Sequence, residues 1–326
     1  MTRPLPVGVI GVGMLGWHHA RHLMSMAEAE LVGVYDIRPE RAQLVARALG
    51  TRACESREEL LDRVAAVTVA VPTSVHAEVG LAALETGRPV LMEKPLAATL
   101  AEADALVDAA ARRSVLLQVG HIERFNRAIR AAEPYLDRPS FIEGERLAPY
   151  HPRGTDVPVV LDLMVHDLDL ILHLARGAAA VDVRANGAAV LSGLLDVAHA
   201  RVEFANGMVA SVTASRIARE RVRRLRVYQE EGYLALDLSA GRGEFLRLRN
   251  RWSPEEVHGL EEIAERIPLE APAADALRLE LASFIRSVRG EHDAVVAGRE
   301  GRAAVALALQ VADAVHLASL TSPPTL

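Results

Sequence analysis

Leu5-Pro6-Val7-Gly8-Val9-Ile10, continuing into Gly11-Val12-Gly13-Met14-Leu15-Gly16, is the stretch that decides the fold. A short apolar, β-branched run passes directly into G-x-G-x-x-G, and the residues from Met14 onward have helical period. In that setting the first glycine permits a tight turn and the second lets a pyrophosphate approach the backbone. The third lets the helix pack closely on the strand, and the phosphates then lie at the helix N-terminus, among its free amides. Met14 and Leu15 sit inside this loop and count with it as cofactor-binding positions. Asp36 closes the next apolar run, residues 31–35. An acid there accepts hydrogen bonds from the adenosine ribose hydroxyls, which favours NAD. Arg38, two residues on, is suited to a 2′-phosphate and leaves NADP open.

Outward from this stretch, apolar runs at 66–71, 90–92 and 115–119 alternate with helical patterns. Ser56 with Glu59, and Thr99 with Glu102, have capping-box spacing. Strands alternating with helices predict a parallel sheet covered on both faces, an α/β Rossmann dinucleotide-binding domain over residues 1–121. Beyond it the period changes. Residues 141–147, 181–190, 197–204, 208–215, 224–228 and 233–238 read as strands; Gly232 turns the chain between the last two, and Asn206-Gly207 is a strong hairpin turn. Helices at 161–175, 274–289 and 302–320 are expected to cover one face of that sheet. Residues 122–326 therefore form an α+β domain with a largely antiparallel sheet. Its other face is open to burial between subunits, and a homodimer or homotetramer through this sheet is expected.

The 326 residues are 50% hydrophobic and 25% charged, which is globular composition. Acidic residues outnumber basic ones, 43 to 37, which speaks against nucleic acid as a partner. No apolar run approaches the roughly 20 residues that span a bilayer, so no membrane partner is expected. A strand pattern beginning at Leu5 leaves no room for a leader, and the expected location is the cytoplasm. The single cysteine, Cys54, excludes an internal disulfide and a cysteine-based zinc cage, and reads as a small buried hydrophobe.

Of the 37 basic residues, 36 are arginine and one, Lys94, is lysine. Lysine shifts its pKa and hands over a proton; arginine does not. Lys94 stands in Glu93-Lys94-Pro95 at the end of the run 90–92, where parallel strands open onto a ligand crevice. Asp162 and His166 are spaced i, i+4 on the expected helix and share a face. Imidazole titrates near neutrality and suits removal of an alcohol proton as hydride leaves the carbon. Metal binding is the rival use of that pair, but only two ligands are evident and no metal is expected. His18, His19 and His22 crowd the first helix and read as its surface or as the mouth of a cofactor cleft. Arg221, Arg223, Arg224 and Arg226 form a basic run that strand alternation divides between two faces.

Taken together, Gly11-x-Gly13-x-x-Gly16 with His19-Ala20, Glu93-Lys94-Pro95, and Asp162-x-x-x-His166 resemble the Gfo/Idh/MocA family of oxidoreductases. The resemblance covers essentially the whole chain. It implies NAD, a catalytic lysine at Lys94, a glutamate facing the nicotinamide ribose at Glu93, and a catalytic acid/base at His166 assisted by Asp162. Val71-Pro72-Thr73-Ser74-Val75-His76 resembles the family's cofactor loop, with threonine where many members have asparagine, so Pro72, Thr73 and His76 join the cofactor-binding set. His121 joins it as well. A narrower likeness lies in Gly120-His121-Ile122-Glu123-Arg124-Phe125-Asn126, in Arg153-x-x-Asp156-Val157 and in Asp162–Asp167. These resemble the branch that contains UDP-N-acetylglucosamine 3-dehydrogenases, although Arg127 stands where that branch has proline. The branch implies a sugar-nucleotide hydroxyl as substrate, contacted by Lys94, Arg124, Asn126, Arg153, Asp162 and His166. Two alternatives stay open: a dehydrogenase of a free polyol, inositol or aldose, and a catalytically silent NAD-binding sensor.

Overall fold

The computed structural model describes residues 3–151, 157–249 and 259–321. The chain forms two compact units, Met1–Ile122 with Ala274–Val305, and Glu123–Ala273 with Ala306–Leu326.

In the first unit, β1 (Leu5–Ile10), β2 (Ala29–Tyr35), β3 (Arg52–Ala53), β4 (Ala66–Val69), β5 (Val90–Glu93) and β6 (Leu117–Gly120) form one parallel sheet in the order β3-β2-β1-β4-β5-β6. α1 (Met14–Met24), α2 (Pro39–Leu49), α3 (Arg57–Arg63), α4 (His76–Glu85) and α5 (Leu100–Arg113) connect the strands. Strand order reverses between β1 and β4, and at such a switch point the carboxyl ends of the strands take ligands. β4, β5 and β6 are buried throughout, the reason they read as unbroken apolar runs. β1 divides its faces: Val7 and Val9 enter the core with α1 and α2, while Gly8 makes room for Leu60 of α3. Thr99 and Glu102 form the full reciprocal box at the start of α5. Ser56 forms half of one, because the Glu59 carboxylate accepts from the Glu55 amide instead.

The sequence places residues 274–289 in the second domain; the structure returns them to the first unit. α9 (Ala276–Val288) buries Leu277, Leu281, Phe284 and Ile285 in the same core as Val7, Val9, Leu23 and Leu91. The apolar stripe of this helix demands an apolar partner, but its period carries no information about which one. The chain then runs along β6, where the Val119 amide donates to Val296 O, and covers that sheet edge. Within α10 (Gly298–Thr321) it passes from one unit into the other.

The second unit is built on β7 (Phe141–Leu147), β8 (Ala180–Ala188), β9 (Val197–Phe204), β10 (Val209–Ser215), β11 (Val222–Gln229), β12 (Gly232–Asp237), β13 (Arg242–Leu248) and β14 (Ala264–Leu269). Their order is β14-β13-β12-β11-β7-β10-β9-β8, antiparallel except where β7 meets β10. β13 and β14 were not expected from the sequence; β14 carries Pro268 and two charges, which an edge strand tolerates and a periodicity test misses. Gly207, with φ +85°, turns the hairpin between β9 and β10. α6 (Arg127–Ala132), α7 (Val165–Leu174) and the short α8 (Leu260–Ile263) complete the unit. The helix expected from residue 161 opens instead with a π-helical turn, Val160–Met164, before α7 begins. Among the described residues, no helix is long and apolar enough to cross a membrane.

Candidate active site

The glycine loop of the first unit has the shape a dinucleotide requires. Gly11 adopts φ +81°, and a Cβ on Gly16 would lie 1.8 Å from Gly11 O. Only glycine fits either position. A Cβ on Gly13 would meet nothing within 4 Å, so this side of the loop is open to a ligand. α1 has no side chain capping its N-terminus and no acid in its first turn, which leaves its amides and positive dipole end for an anion. Asp36 is fixed beside the loop: Oδ2 accepts from the Val12 amide at 2.9 Å and Oδ1 from the Arg38 amide at 3.0 Å. Arg41, which sequence reading passed over, donates to Val12 O at 2.6 Å and Gly13 O at 3.2 Å and pins the loop from outside. Met14, Leu15 and Ile37 are 55%, 42% and 85% exposed, an apolar fringe around loop and acid. Ile37 was also missed, because a lone apolar residue after an acid carries no motif. The observed cradle fits NAD.

The carboxyl ends of β4, β5 and β6 lie side by side and carry Val71–His76, Glu93–Lys94 and Gly120–His121. Pro72 is exposed and Thr73 half-buried in a short 3-10 turn. His76, expected at the cofactor, is buried, with Nδ1 2.8 Å from Pro95 O and Nε2 3.0 Å from Val71 O. Burial lowers its pKa against the pull of the two carbonyls, and the ring lies between two loops, donating to only one carbonyl when neutral. Glu93 Oε1 meets His19 Nε2 at 2.9 Å, and Oε2 accepts from the Lys94 amide at 3.3 Å. His19 is therefore neither surface nor cleft mouth: it is fully buried on the stripe Gly16, His19, Ala20, Leu23. Gly120 faces Glu93, where a Cβ would press to 3.2 Å of the carboxyl carbon. Lys94 is half-buried beside this pair and precedes a cis proline; His121 is buried.

In the second unit Asp162 and His166 are half-buried, while Leu161, Met164, Val165, Asp167 and Leu168 around them are buried. The two side chains thus lie on a less buried side of a helix whose neighbouring positions Leu161, Met164, Val165, Asp167 and Leu168 enter the core. Asp162 lies in the π-helical turn and His166 in the first turn of α7, so the i, i+4 relation spans a change of helical pitch. Such turns recur at functional sites because they re-aim side chains. Two buried ion pairs hold α7. Arg146 Nε and Nη2 donate to Asp167 at 2.7 and 2.9 Å, and its Nη1 donates to Glu123 at 2.8 Å. Burial alone would lower the pKa of Arg146, but Asp167 and Glu123 reverse this and keep it charged. Arg124 Nε and Nη2 donate to Asp169 at 2.6 and 3.0 Å.

These contacts correct two expectations. Arg124 is 8% exposed and committed to Asp169, so it anchors α7 rather than a substrate. Asn126 caps α6 through the Ala128 amide and donates to Glu123 and to Leu238 O, which also makes it structural. Arg127 is the first residue of α6, a position where proline is favoured but not required, so the departure from the branch leaves the fold intact. Arg153 and Asp156 lie outside the described residues. The basic run of β11 divides as expected, with Arg223 reaching Glu123 at 3.5 Å and Arg224 and Arg226 exposed on the other face.

Residues 5–121 match the model of the oxidoreductase family with an NAD-binding Rossmann fold, and residues 138–235 match that of the GFO/IDH/MocA C-terminal domain. The chain is 38% identical over 310 residues to UDP-N-acetylglucosamine 3-dehydrogenase of Acidithiobacillus ferrooxidans, covering 95% of this chain and 96% of the relative. A crystal structure of that enzyme superposes with a TM-score of 0.87 at 37% identity, covering 96% and 98% of the two chains. The NAD(+)-dependent scyllo-inositol 2-dehydrogenase of Bacillus subtilis is 31% identical over 239 residues, covering 66% of this chain and 68% of the relative. Two family domains in the expected order, joined in a full-length relative, establish that the chain belongs to the Gfo/Idh/MocA family of NAD-binding oxidoreductases.

Proposed function

We propose that the protein oxidises C3 of UDP-N-acetylglucosamine, with Lys94 and His166 as its catalytic residues. The observation that carries this is the full-length likeness to a UDP-N-acetylglucosamine 3-dehydrogenase in a chain that retains Lys94, Asp162 and His166. A sensor needs none of the three. The cofactor is held by Gly11, Gly13, Met14, Leu15, Gly16, Asp36 and Arg38, with Pro72, Thr73, Glu93 and His121 towards its nicotinamide end. When bound, NAD supplies the hydride acceptor. The ammonium of Lys94 donates to the C3 hydroxyl oxygen and lowers its pKa, and His166 takes the hydroxyl proton. As the C3–H electron pair leaves as hydride, the pair freed from the O–H bond becomes the second C3–O bond, and a C3 carbonyl forms. Asp162 orients His166 and favours its protonated form after transfer. Arg153 is a partner for the diphosphate.

The same proposal gives the outer face of the second sheet a partner, another copy of this chain. Phe141, Tyr228 and Tyr233 are register partners across β7, β11 and β12, half-buried, with ring centroids 5.7 and 5.3 Å apart. Such an aromatic row on a monomer surface suits a subunit interface. Light scattering of the purified protein is expected to give a dimer or tetramer, and Tyr233→Glu to lower its mass.

The assay is a panel of UDP-N-acetylglucosamine, free N-acetylglucosamine, inositols and aldoses with NAD, followed by NADH absorbance and identification of the keto product. A 3-keto sugar nucleotide is expected. Turnover of a free inositol with no response to the UDP-sugar would place the protein with the polyol dehydrogenases instead.

A further inference from the structure

α9 turns two polar side chains towards the interior of the first unit. Glu280 and Ser283 lie on its buried face with Leu277, Leu281 and Phe284. Neither oxygen of Glu280 nor the Ser283 hydroxyl has a hydrogen-bond partner among the described residues. The sheet below is polar at the same level. Val9, Thr68, Leu91 and Gln118 are register partners across β1, β4, β5 and β6, and such partners point to one face. Val9 and Leu91 share the core of α9, so Thr68 and Gln118 face the same side. The Thr68 hydroxyl and both amide atoms of Gln118 are likewise buried without a partner. Glu93 follows Leu91 by two residues and returns to this face. His19, on the helix packed against α9, leaves Nδ1 buried and unpartnered while Nε2 holds Glu93.

Orphaned polar atoms are rare in native interiors, and a concentration of them in one layer calls for an explanation. The titratable and charged groups on the elements packed here are His18, His19, Arg21 and His22 of α1, Glu93 at the end of β5, and Arg278 and Arg286 of α9 itself. His22 is drawn to Asp275 at 3.5 Å and Arg278 to Ser25, away from the layer. Burial first, and the charge of Glu93 second, push the Glu280 pKa well up, and no cation opposes them.

We propose that Glu280 is a positioning residue of the dehydrogenase: its proton keeps the charge of this layer at one carboxylate, Glu93, and so holds the His19–Glu93 pair in place beside Lys94. Were Glu280 ionised, its charge would act on Glu93 from a carboxylate that no hydrogen-bond donor among the described residues holds. Glu93 would then be driven from His19, and its setting towards the cofactor would be lost. This rests on the reading of Glu93 as a cofactor-facing residue, and the test avoids the sugar altogether.

NAD affinity is measured by calorimetry from about pH 6 to about pH 10 for the unaltered protein and for Glu280→Gln, which has the same shape and no proton to lose. The unaltered protein is expected to weaken with rising pH, by at most about tenfold per unit, once Glu280 ionises. Glu280→Gln is expected to bind NAD within about threefold at neutral pH and to show a flat profile. Parallel profiles, or a loss beyond about tenfold in Glu280→Gln at neutral pH, would overturn the assignment. If Glu280→Gln does not fold, infrared spectra of the unaltered protein with isotope-labelled glutamate decide. A protonated-acid carbonyl band at neutral pH supports the proposal, and its absence refutes it. None of these outcomes depends on which sugar is oxidised.

Discussion

Lys94 stands where 36 other basic positions of the chain use arginine, and its replacement is the most direct test of the chemistry. Lys94→Ala and His166→Ala are each expected to lower turnover about 10²–10⁴-fold, the range for lost acid–base assistance. NAD affinity should change little, because the glycine loop and Asp36 carry most cofactor contacts. Lys94→Arg is expected to recover little activity, since a broad fork replaces a compact donor; near-native turnover would show that only positive charge matters there. Asp36 offers a second test. Its carboxylate is already fixed by the Val12 and Arg38 amides, so a 2′-phosphate would meet a negative charge that cannot swing away. NAD should bind more tightly than NADP, and Asp36→Ser should narrow the ratio in titrations of both cofactors. Lys94, Asp36 and the glycines were legible in the sequence because each belongs to a local motif. His19 was legible in principle, since it falls on the stripe of Gly16, Ala20 and Leu23. It was misread because a cluster of three histidines looked like one feature.

At the scale of elements, α7 is held by charges on faces that the sequence pattern marks as buried. Arg146 alternates in phase with Ile142 and Gly144 of β7, and Asp167 sits beside Leu168 in the core phase of α7. Two opposite charges in buried phases on different elements announce a pair, but the sequence does not say which elements meet. For that reason Arg124 was assigned to a ligand and Arg146 overlooked. Breaking such a pair costs more than replacing it. Arg146→Met is expected to destabilise the protein by about 3–5 kcal/mol in urea unfolding, because it leaves Asp167 buried without its cation and Glu123 with Arg223 alone. Adding Asp167→Leu and Glu123→Gln should recover much of that loss. Turnover is expected to fall in Arg146→Met as α7 loosens under His166; full activity with full stability would show that the pair anchors nothing.

For the molecule as a whole, two buried acids set opposite limits on pH. Burial alone would raise the pKa of Asp196, but the Ser192 hydroxyl and the amides of Leu191, Ser192 and Val190 hold it well below the usual carboxylate range. Its folded pKa is depressed, so its contribution is present above the ordinary carboxylate pKa and is lost as pH falls from there towards the depressed value. Glu280 is the reverse: its folded pKa is raised, so stability declines as pH climbs from the ordinary carboxylate range towards the raised value. Thermal unfolding across pH is expected to show both limbs, with Asp196→Asn flattening the acid one and Glu280→Gln the alkaline one. A limb unchanged by its substitution would remove that acid from the account. The plan of a parallel sheet followed by a largely antiparallel one was readable from period and turn signals. The return of α9 to the first unit was not, since it depends on matching its apolar stripe to partners on β1, α1 and β5, on the far side of residues 123–273.

That return bears on how the protein is made. A ribosome releases β1 to β6 early, but the face that α9 covers, with Val7, Val9 and Leu91, waits for the chain beyond residue 274. At about 5–20 residues per second, the delay is roughly 8–30 s, during which an apolar sheet face stands open to solvent and chaperones. The nucleotide-binding half begins before the second unit in the chain and is completed only after much of that unit has been made. A fragment ending at Ile122 is therefore expected to aggregate rather than bind cofactor, and NAD to protect the chain only after synthesis is nearly finished.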